Sequence, residues 1–200
     1  MGIEERLQNE ADLRLSCGSA PESFPIGDAV AQAYFLRSPR LGFRCWTADD
    51  LPLARQLWGD LEVTRFFGGP FGEEEIARRL EVEIARMSAY RFQYWPMDLV
   101  STNEHVGCCG LRPFRPDVGI PELGFHLRPK FWGQGLASEG ARAIIRFAFE
   151  TLPAKALSAG HHPENVNSKK VLEKLGFRYS HHEFFPALEI EIPYYLLPRS

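Results

Sequence analysis

The sequence contains few cysteines and no long apolar run, and each absence excludes a class of protein. Its four cysteines form no Cys-x-x-Cys pair, so the chain shows neither zinc-binding spacing nor a disulfide framework. No segment approaches the roughly 20 apolar residues that span a membrane, and no apolar core of a signal peptide follows the first residues. We therefore expect reduced, buried thiols, no bound metal and a cytoplasmic protein without a membrane partner.

The net charge of the chain is small as well. A formal net charge of −3 creates no global field that would attract nucleic acid, so we expect no nucleic-acid partner. Two histidine pairs, His161-His162 and His181-His182, lack the cysteine or carboxylate spacing of a metal site. A hydrophobic fraction of 44% suffices for one sizeable core, which predicts one ordinary domain.

Residues 1–34 differ from the rest of the chain. They mix charged residues with glycine, serine and proline and show no periodicity. This composition predicts a peripheral, poorly ordered extension before a domain of residues 35–200. An arm that contacts a second copy of the chain in a homodimer is the alternative interpretation.

The chain is organised around the segment from Glu122 to Glu150. Residues 122–127 alternate between apolar and other side chains, which predicts a strand, and residues 136–150 have a helical period. Two glycines, Gly133 and Gly135, lie at the strand-to-helix junction and allow the backbone to approach a ligand closely. The first amides of a helix have no partner within it and lie at the positive end of its dipole. The junction therefore predicts an anion site suited to phosphate.

Three kinds of phosphate-binding loop can be compared with this junction. A dinucleotide-binding loop would place a third glycine where the chain has Ser138, and no Gly-Lys-Ser/Thr of a P-loop follows. Instead, Lys130-x-x-Gly133-x-Gly135 resembles the Arg/Gln-x-x-Gly-x-Gly/Ala loop of the GNAT acetyltransferases, which holds the pyrophosphate of acetyl-CoA. Lysine at the first position is a mild departure. The segment ELGFHLRPKFWGQGLASEG is similar to the branch that includes ribosomal-protein N-terminal acetyltransferases of the Rim type.

A second block supports the same resemblance. Asn165-x-x-Ser168, followed by Glu-Lys-Leu-Gly176-Phe177, is similar to the second signature of the GNAT family. The two blocks stand in the family's order, and the resemblance extends from about Leu41 to the C-terminus.

The sequence predicts a mixed α/β fold. The predicted elements follow the order β-α-α-β-β-β-α-β-α-β-β, with a first strand at Leu41–Trp46 and a last strand at Leu188–Ile192. The resemblance implies the GNAT fold, in which helices flank a central mixed, mostly antiparallel sheet with splayed middle strands. Acetyl-CoA would then lie in the gap between residues 122–127 and 154–161.

The resemblance also implies which residues bind the cofactor. The amides of the glycine loop would hold the pyrophosphate, and the side chain of Asn165 would contact the pantetheine arm, unless it only begins a turn. Backbone groups of the splayed strand would stabilise the oxyanion. The cofactor-binding residues expected on these grounds are Phe125, His126, Leu127, Lys130, Gly133, Gln134, Gly135, Leu136, Ala137, Asn165 and Ser168.

The catalytic residues follow less directly. We expect Glu122 to accept the amine proton through a water, because partial burial raises a carboxylate's pKa. A strand-end salt bridge is the alternative role for Glu122, and His126 and His162 are alternative bases. Many GNAT enzymes carry a tyrosine acid where this chain has Leu172. Ser168 matches the serine that the Rim-type branch often uses instead.

The resemblance implies an acyl-CoA-dependent N-acetyltransferase that moves an acetyl group from acetyl-CoA to a primary amine by direct transfer in a ternary complex. A non-catalytic CoA-binding or regulatory module on the same fold is the alternative. The aromatic loop of residues 60–71 would either flank the acceptor site or fold back into the core. The net negative charge favours a cationic acceptor, without deciding among protein N-termini, aminoglycosides, polyamines and amino acids.

Overall fold

The computed structural model describes residues 34–199, which form one sheet flanked by helices. The strands are β1 (Leu36–Arg37), β2 (Leu41–Phe43), β3 (Tyr94–Leu99), β4 (His105–Arg115), β5 (Ile120–Leu127), β6 (Ala156–Gly160), β7 (Arg178–Phe185) and β8 (Ile190–Pro198). The helices are α1 (Leu51–Trp58), α2 (Leu61–Thr64), α3 (Glu73–Tyr90), α4 (Leu136–Thr151) and α5 (Val166–Lys174). The predicted N-terminal extension lies outside the described residues, apart from Tyr34, and stays a prediction.

The predicted mixed, mostly antiparallel sheet is confirmed. Its strand order is β1-β2-β3-β4-β5-β6-β8-β7, and only the β5–β6 pair is parallel. A parallel pair needs a long crossover, and α4 provides it between these two strands. No helix in residues 34–199 is long and apolar enough to cross a membrane.

Helices cover the two faces of the sheet and define two apolar clusters. Because successive side chains of a strand point to opposite faces, Cys109 packs in the cluster beneath α4 and Cys108 in the cluster beneath α1 and α3. Both thiols are buried, as expected, whereas Cys45 is exposed, so the expectation of burial is wrong for that residue. Cys17 lies outside the described residues.

The first predicted strand is too long. It ends at Phe43 rather than at Trp46. The backbone N–H of Arg44 still points at the carbonyl of Pro96 (3.4 Å), but Pro96 has no N–H to return the bond. The β2–β3 ladder therefore stops at this position.

The middle strands separate as predicted. Strands β5 and β6 are paired only at Glu122 and Ser158, whereas β6 pairs with β8 from Ala156 to Gly160. Beyond Glu122 the edge of β5 that faces β6 has no strand partner. The candidate site lies in this opening between β5 and β6.

Candidate active site

The separation of β5 from β6 opens a cavity of about 930 Å³. Its walls come from both faces of the sheet. One part is lined by the glycine loop and the first turn of α4, and another by α3 and the aromatic loop before it. A ligand in the opening can therefore contact the predicted phosphate site and the opposite face of the sheet at once.

The glycine loop has the geometry of an anion site. Gly133 (φ 73°) and Gly135 (φ 75°) both adopt the left-handed conformation, which disfavours other residues. A Cβ at Gly133 would meet nothing within 4 Å, so the loop backbone faces open space. The first bond of α4 runs from the amide of Glu139 to the carbonyl of Gly135 (3.0 Å). The preceding amides of the helix are therefore available to a ligand.

Those amides belong to Leu136, Ala137 and Ser138, and all three residues line the cavity. Leu136 and Ala137 were expected from the sequence. Ser138, which is buried, was missed, although its place in the first helical turn was a signal for it.

Arg40 supports the loop from outside and was not predicted. Its guanidinium binds the Glu139 carboxylate (Nε–Oε2, 2.7 Å) and the carbonyl of Gln134 (3.1 Å). Burial alone would raise the pKa of Glu139, but hydrogen bonds from Ser38 and Arg40 lower it below its ordinary value. Glu139 therefore stays ionised, and the guanidinium of Arg40 balances its negative charge beside the anion site. No local pattern could reveal this pair, because its members lie far apart in the sequence.

The side chains of Lys130 and Gln134 do not line the cavity. Lys130 forms an ion pair with Glu104 and lies over the ring of Phe131 (5.0 Å). Gln134 donates its side-chain amide to the carbonyl of Lys130 (2.9 Å). The structure therefore places the side chain at the first position of the Lys-x-x-Gly-x-Gly motif away from the predicted ligand.

The open edge of β5 offers backbone donors. Arg128 donates its backbone N–H to Val106 of β4 (3.0 Å), which fixes the alternation of backbone groups along the strand. By this alternation the N–H of His126 faces β4, whereas those of Phe125 and Leu127 face the opening. The structure thus brings the backbone of Phe125 and Leu127 to the expected place, and that of His126 away from it.

Asn165 and Ser168 lie together at the start of α5 and line the cavity. The side-chain oxygen of Asn165 accepts the backbone N–H of Ser168 (3.0 Å), so Asn165 caps the helix. This bond leaves the NH₂ group of Asn165 without a partner among the described residues. Capping and ligand contact are therefore compatible roles. Leu172, where many relatives carry tyrosine, is buried.

Glu122 occupies the last paired position between β5 and β6 and lines the cavity. Its Oε1 accepts a hydrogen bond from Nη2 of Arg112 (2.7 Å), which is the salt bridge weighed as its alternative role. Its Oε2 is buried and has no hydrogen-bond partner among the described residues. The carboxylate therefore keeps one acceptor for a ligand or a water.

His126 is a neutral donor rather than a base. The indole N–H of Trp58 donates to Nδ1 of His126 (3.2 Å), which leaves the ring proton on Nε2. Burial, together with the positive charges of Arg79 and Arg112, lowers the pKa of His126 to about 3. Since the nitrogen with the free lone pair is already occupied, His126 does not suit the base role considered for it.

The aromatic loop forms part of the cavity wall. Phe66 stacks on His162 (ring centroids 5.0 Å apart) and Phe67 stacks on His126 (4.6 Å). Phe67 also packs against the second apolar cluster. The loop therefore both lines the cavity and packs into the core. Residues 34–199 contain no group of three potential metal ligands.

Glu83 of α3 is a further carboxylate on the cavity wall that sequence reasoning missed. Burial raises its pKa, against the opposing effect of Arg86. Both of its oxygens are occupied, by Nη1 of Arg86 (2.5 Å) and by the backbone N–H of Tyr94 (2.7 Å). Its position on an amphipathic helix gave no signal, because glutamate there is typical of a solvated face.

The fold and the site together define a transferase of the acetyltransferase class, and comparison with known proteins identifies the family. The model of the acetyltransferase (GNAT) domain matches residues 40–178, which is more than half of the chain. An uncharacterized N-acetyltransferase of Bacillus licheniformis, p20, is 32% identical over 148 residues, covering 72% of this chain and 82% of the relative. The chain therefore belongs to the GNAT acetyltransferase family.

Solved structures agree in fold. An acetyltransferase from Agrobacterium tumefaciens is 25% identical with a TM-score of 0.71, covering 89% of this chain and 100% of that one. RimL, a ribosomal L7/L12 alpha-N-protein acetyltransferase in complex with coenzyme A, is 16% identical with a TM-score of 0.70, covering 80% of this chain and 95% of that one. The expected GNAT fold is thus confirmed.

Proposed function

We propose that this acetyltransferase moves an acetyl group directly from acetyl-CoA to a primary amine within a ternary complex. The observation that carries the proposal is the single cavity between β5 and β6. The glycine loop opens into it from the α4 side, and Glu122 and His126 face it from the α3 side. Donor and acceptor can therefore meet without a covalent enzyme intermediate.

The donor would bind along the opening. The amides of Gly135, Leu136, Ala137 and Ser138 would hold the pyrophosphate at the positive end of α4. The free NH₂ group of Asn165 would donate to the pantetheine arm. The coenzyme A found with RimL supports this assignment through the shared fold.

The thioester carbonyl would lie against the open edge of β5. Attack by the amine nitrogen on the carbonyl carbon places negative charge on the oxygen, which needs fixed donors. The backbone N–H groups of Phe125 and Leu127 face this space. When the carbon–sulfur bond breaks, the acetyl group stays on nitrogen and CoA leaves as a thiolate.

One proton transfer and one hydrogen bond complete the reaction. The free Oε2 of Glu122 would accept the amine proton through a water, while Arg112 keeps the carboxylate in place. Ser168, on the cavity wall, would donate a hydrogen bond to the departing sulfur. These roles follow from position and from which atoms lack partners.

The test is release of free CoA thiol from acetyl-CoA in the presence of a panel of amines. The panel should contain peptide N-termini, amino acids, aminoglycosides and polyamines. Turnover with at least one amine, and initial rates that intersect when both substrates are varied, would support direct transfer. Tight binding of acetyl-CoA without turnover on any amine would instead support the non-catalytic CoA-binding module.

A further inference from the structure

The part of the cavity lined by α3 carries an excess of positive charge. Among the described residues arginines outnumber carboxylates along the cavity wall, although the whole chain has a net charge of −3. Other arginines of the wall have a carboxylate partner of their own. Arg112 pairs with Glu122 at 2.7 Å, for example.

Arg78 and Arg79 are different because they share Glu75. Nη2 of Arg78 contacts both oxygens of that carboxylate, at 2.9 and 2.7 Å. Nε of Arg79 lies 2.9 Å from Oε1 of Glu75. Its N–H does not point at that oxygen, however, so this buried group has no hydrogen-bond partner. Two guanidinium groups on one carboxylate leave one positive charge without a counter-ion.

Aromatic contacts place this charge beside the site. The guanidinium of Arg79 lies over the ring of Phe71 at 3.8 Å. Phe71 packs against Phe67 (5.8 Å), and Phe67 stacks on His126. Arg79 and Arg112 also act electrostatically on His126. The excess positive charge of Arg78 and Arg79 therefore acts on the face of the sheet where Glu122 and His126 both lie.

We infer that the acceptor is a primary amine that also carries a carboxylate, and that Arg79 binds this carboxylate beside Arg78. The inference rests on the proposed function and narrows its substrate class. A carboxylate would neutralise the excess charge, and a planar guanidinium binds a carboxylate through two N–H groups. A polyamine would instead bring like charges together.

The experiment compares amines that differ only in charge. Ala-Glu-amide is paired with Ala-Gln-amide, β-alanine with β-alaninamide, and spermidine serves as the cationic acceptor. With saturating acetyl-CoA, the wild-type protein should favour the acceptor that carries the carboxylate over its amide partner, in at least one pair, by about 10-fold or more in kcat/KM. This is the range of one charge-assisted hydrogen bond. The peptide and amino-acid pairs distinguish the two sources of the carboxylate.

Three variants locate the recognition. Arg79→Gln should reduce the preference to near parity and leave acetyl-CoA affinity unchanged, while Arg79→Lys, which keeps the charge, should retain part of it. Arg146→Gln, an exposed arginine outside the cavity, is the matched control and should behave as wild type. Equal wild-type rates within both pairs, a preference for spermidine, or an unchanged preference in Arg79→Gln would overturn this inference alone. No turnover on any amine would overturn the proposed function with it.

Discussion

The indole N–H of Trp58 donates to Nδ1 of His126 across 3.2 Å, and this bond decides what His126 can do. With Nδ1 occupied, the ring proton remains on Nε2, and His126 can only donate toward the cavity it lines. The bond links α1 to β5, and the ring of Phe67 stacks on the imidazole. His126 thereby forms a fixed polar contact beside the proposed transfer site.

Removing the indole donor should release this arrangement. Trp58→Phe is expected to allow the other tautomer and to lower kcat/KM for the amine by up to about 10-fold, the effect of one modest hydrogen bond. Nitrogen NMR of the imidazole should show protonated Nε2 in the wild type and mixed tautomers in the variant. Trp46→Phe is the matched control, because its indole donates to the carbonyl of Tyr94 instead. A wild-type ring protonated on Nδ1 would contradict the assignment.

The pKa of His126 also predicts how stability depends on pH. It is lowered to about 3 in the folded protein, against about 6.5 in an unfolded chain. Between these values the unfolded state binds more protons, so the free energy of unfolding falls as the pH falls. The slope from this residue is at most about 1.4 kcal/mol per pH unit. His126→Gln removes the contribution, so the stability difference between wild type and variant should shrink from pH 7.5 to pH 5 in denaturant titrations. If the free energies of unfolding of the wild type and the variant changed in parallel with pH, this contribution of His126 would be excluded.

Glu122→Gln tests the proposed base. The amide keeps an acceptor for Arg112 but cannot take the proton, so kcat should fall by about 100-fold or more. Acetyl-CoA affinity measured by calorimetry should barely change. If the variant kept the wild-type rate at every pH, the role would pass to His162 or to bulk water.

Ser168→Ala tests the proposed contact with the leaving group. A thiolate leaves readily, since thiols ionise near pH 8.5. The loss in a single turnover with saturating amine should therefore be at most about 100-fold, the lower end for general acid catalysis. Acetyl-CoA affinity should change only slightly. A much larger loss would give Ser168 a second role, and no loss would leave protonation of CoA to solvent.

Local sequence signals predicted the backbone geometry of the glycine loop and of the start of α5. Gly133, Gly135 and Asn165 act through the backbone conformation and capping of their own segments, and spacing along the chain is enough to find them. The splayed strands followed from the resemblance, and the single β5–β6 pairing at Glu122 confirms them.

Contacts between residues that lie far apart in the sequence could not be predicted in this way. Trp58 and His126, or Arg40 and Glu139, meet only after the sheet and helices have packed. The last strand shows the same limit, because it was placed at Leu188–Ile192 but runs from Ile190 to Pro198. Tyr194 and Tyr195 are both buried, between β6 and β7, and this hides the alternation that would have marked the strand.

The central claim is that acetyl-CoA binds with its pyrophosphate on the glycine loop, and calorimetric titration of Gly135→Asp tests it most directly. A carboxylate at this position would start 3.8 Å from the Arg40 guanidinium that supports the loop, and it would add negative charge at the start of α4, which opposes phosphate binding there. Gly119→Asp is the matched control, because Gly119 has nearly the same left-handed φ, 74° against 75°, outside the cavity lining. Both variants should fold, with binding lost in Gly135→Asp and retained in Gly119→Asp. Unchanged acetyl-CoA affinity in folded Gly135→Asp would contradict the account.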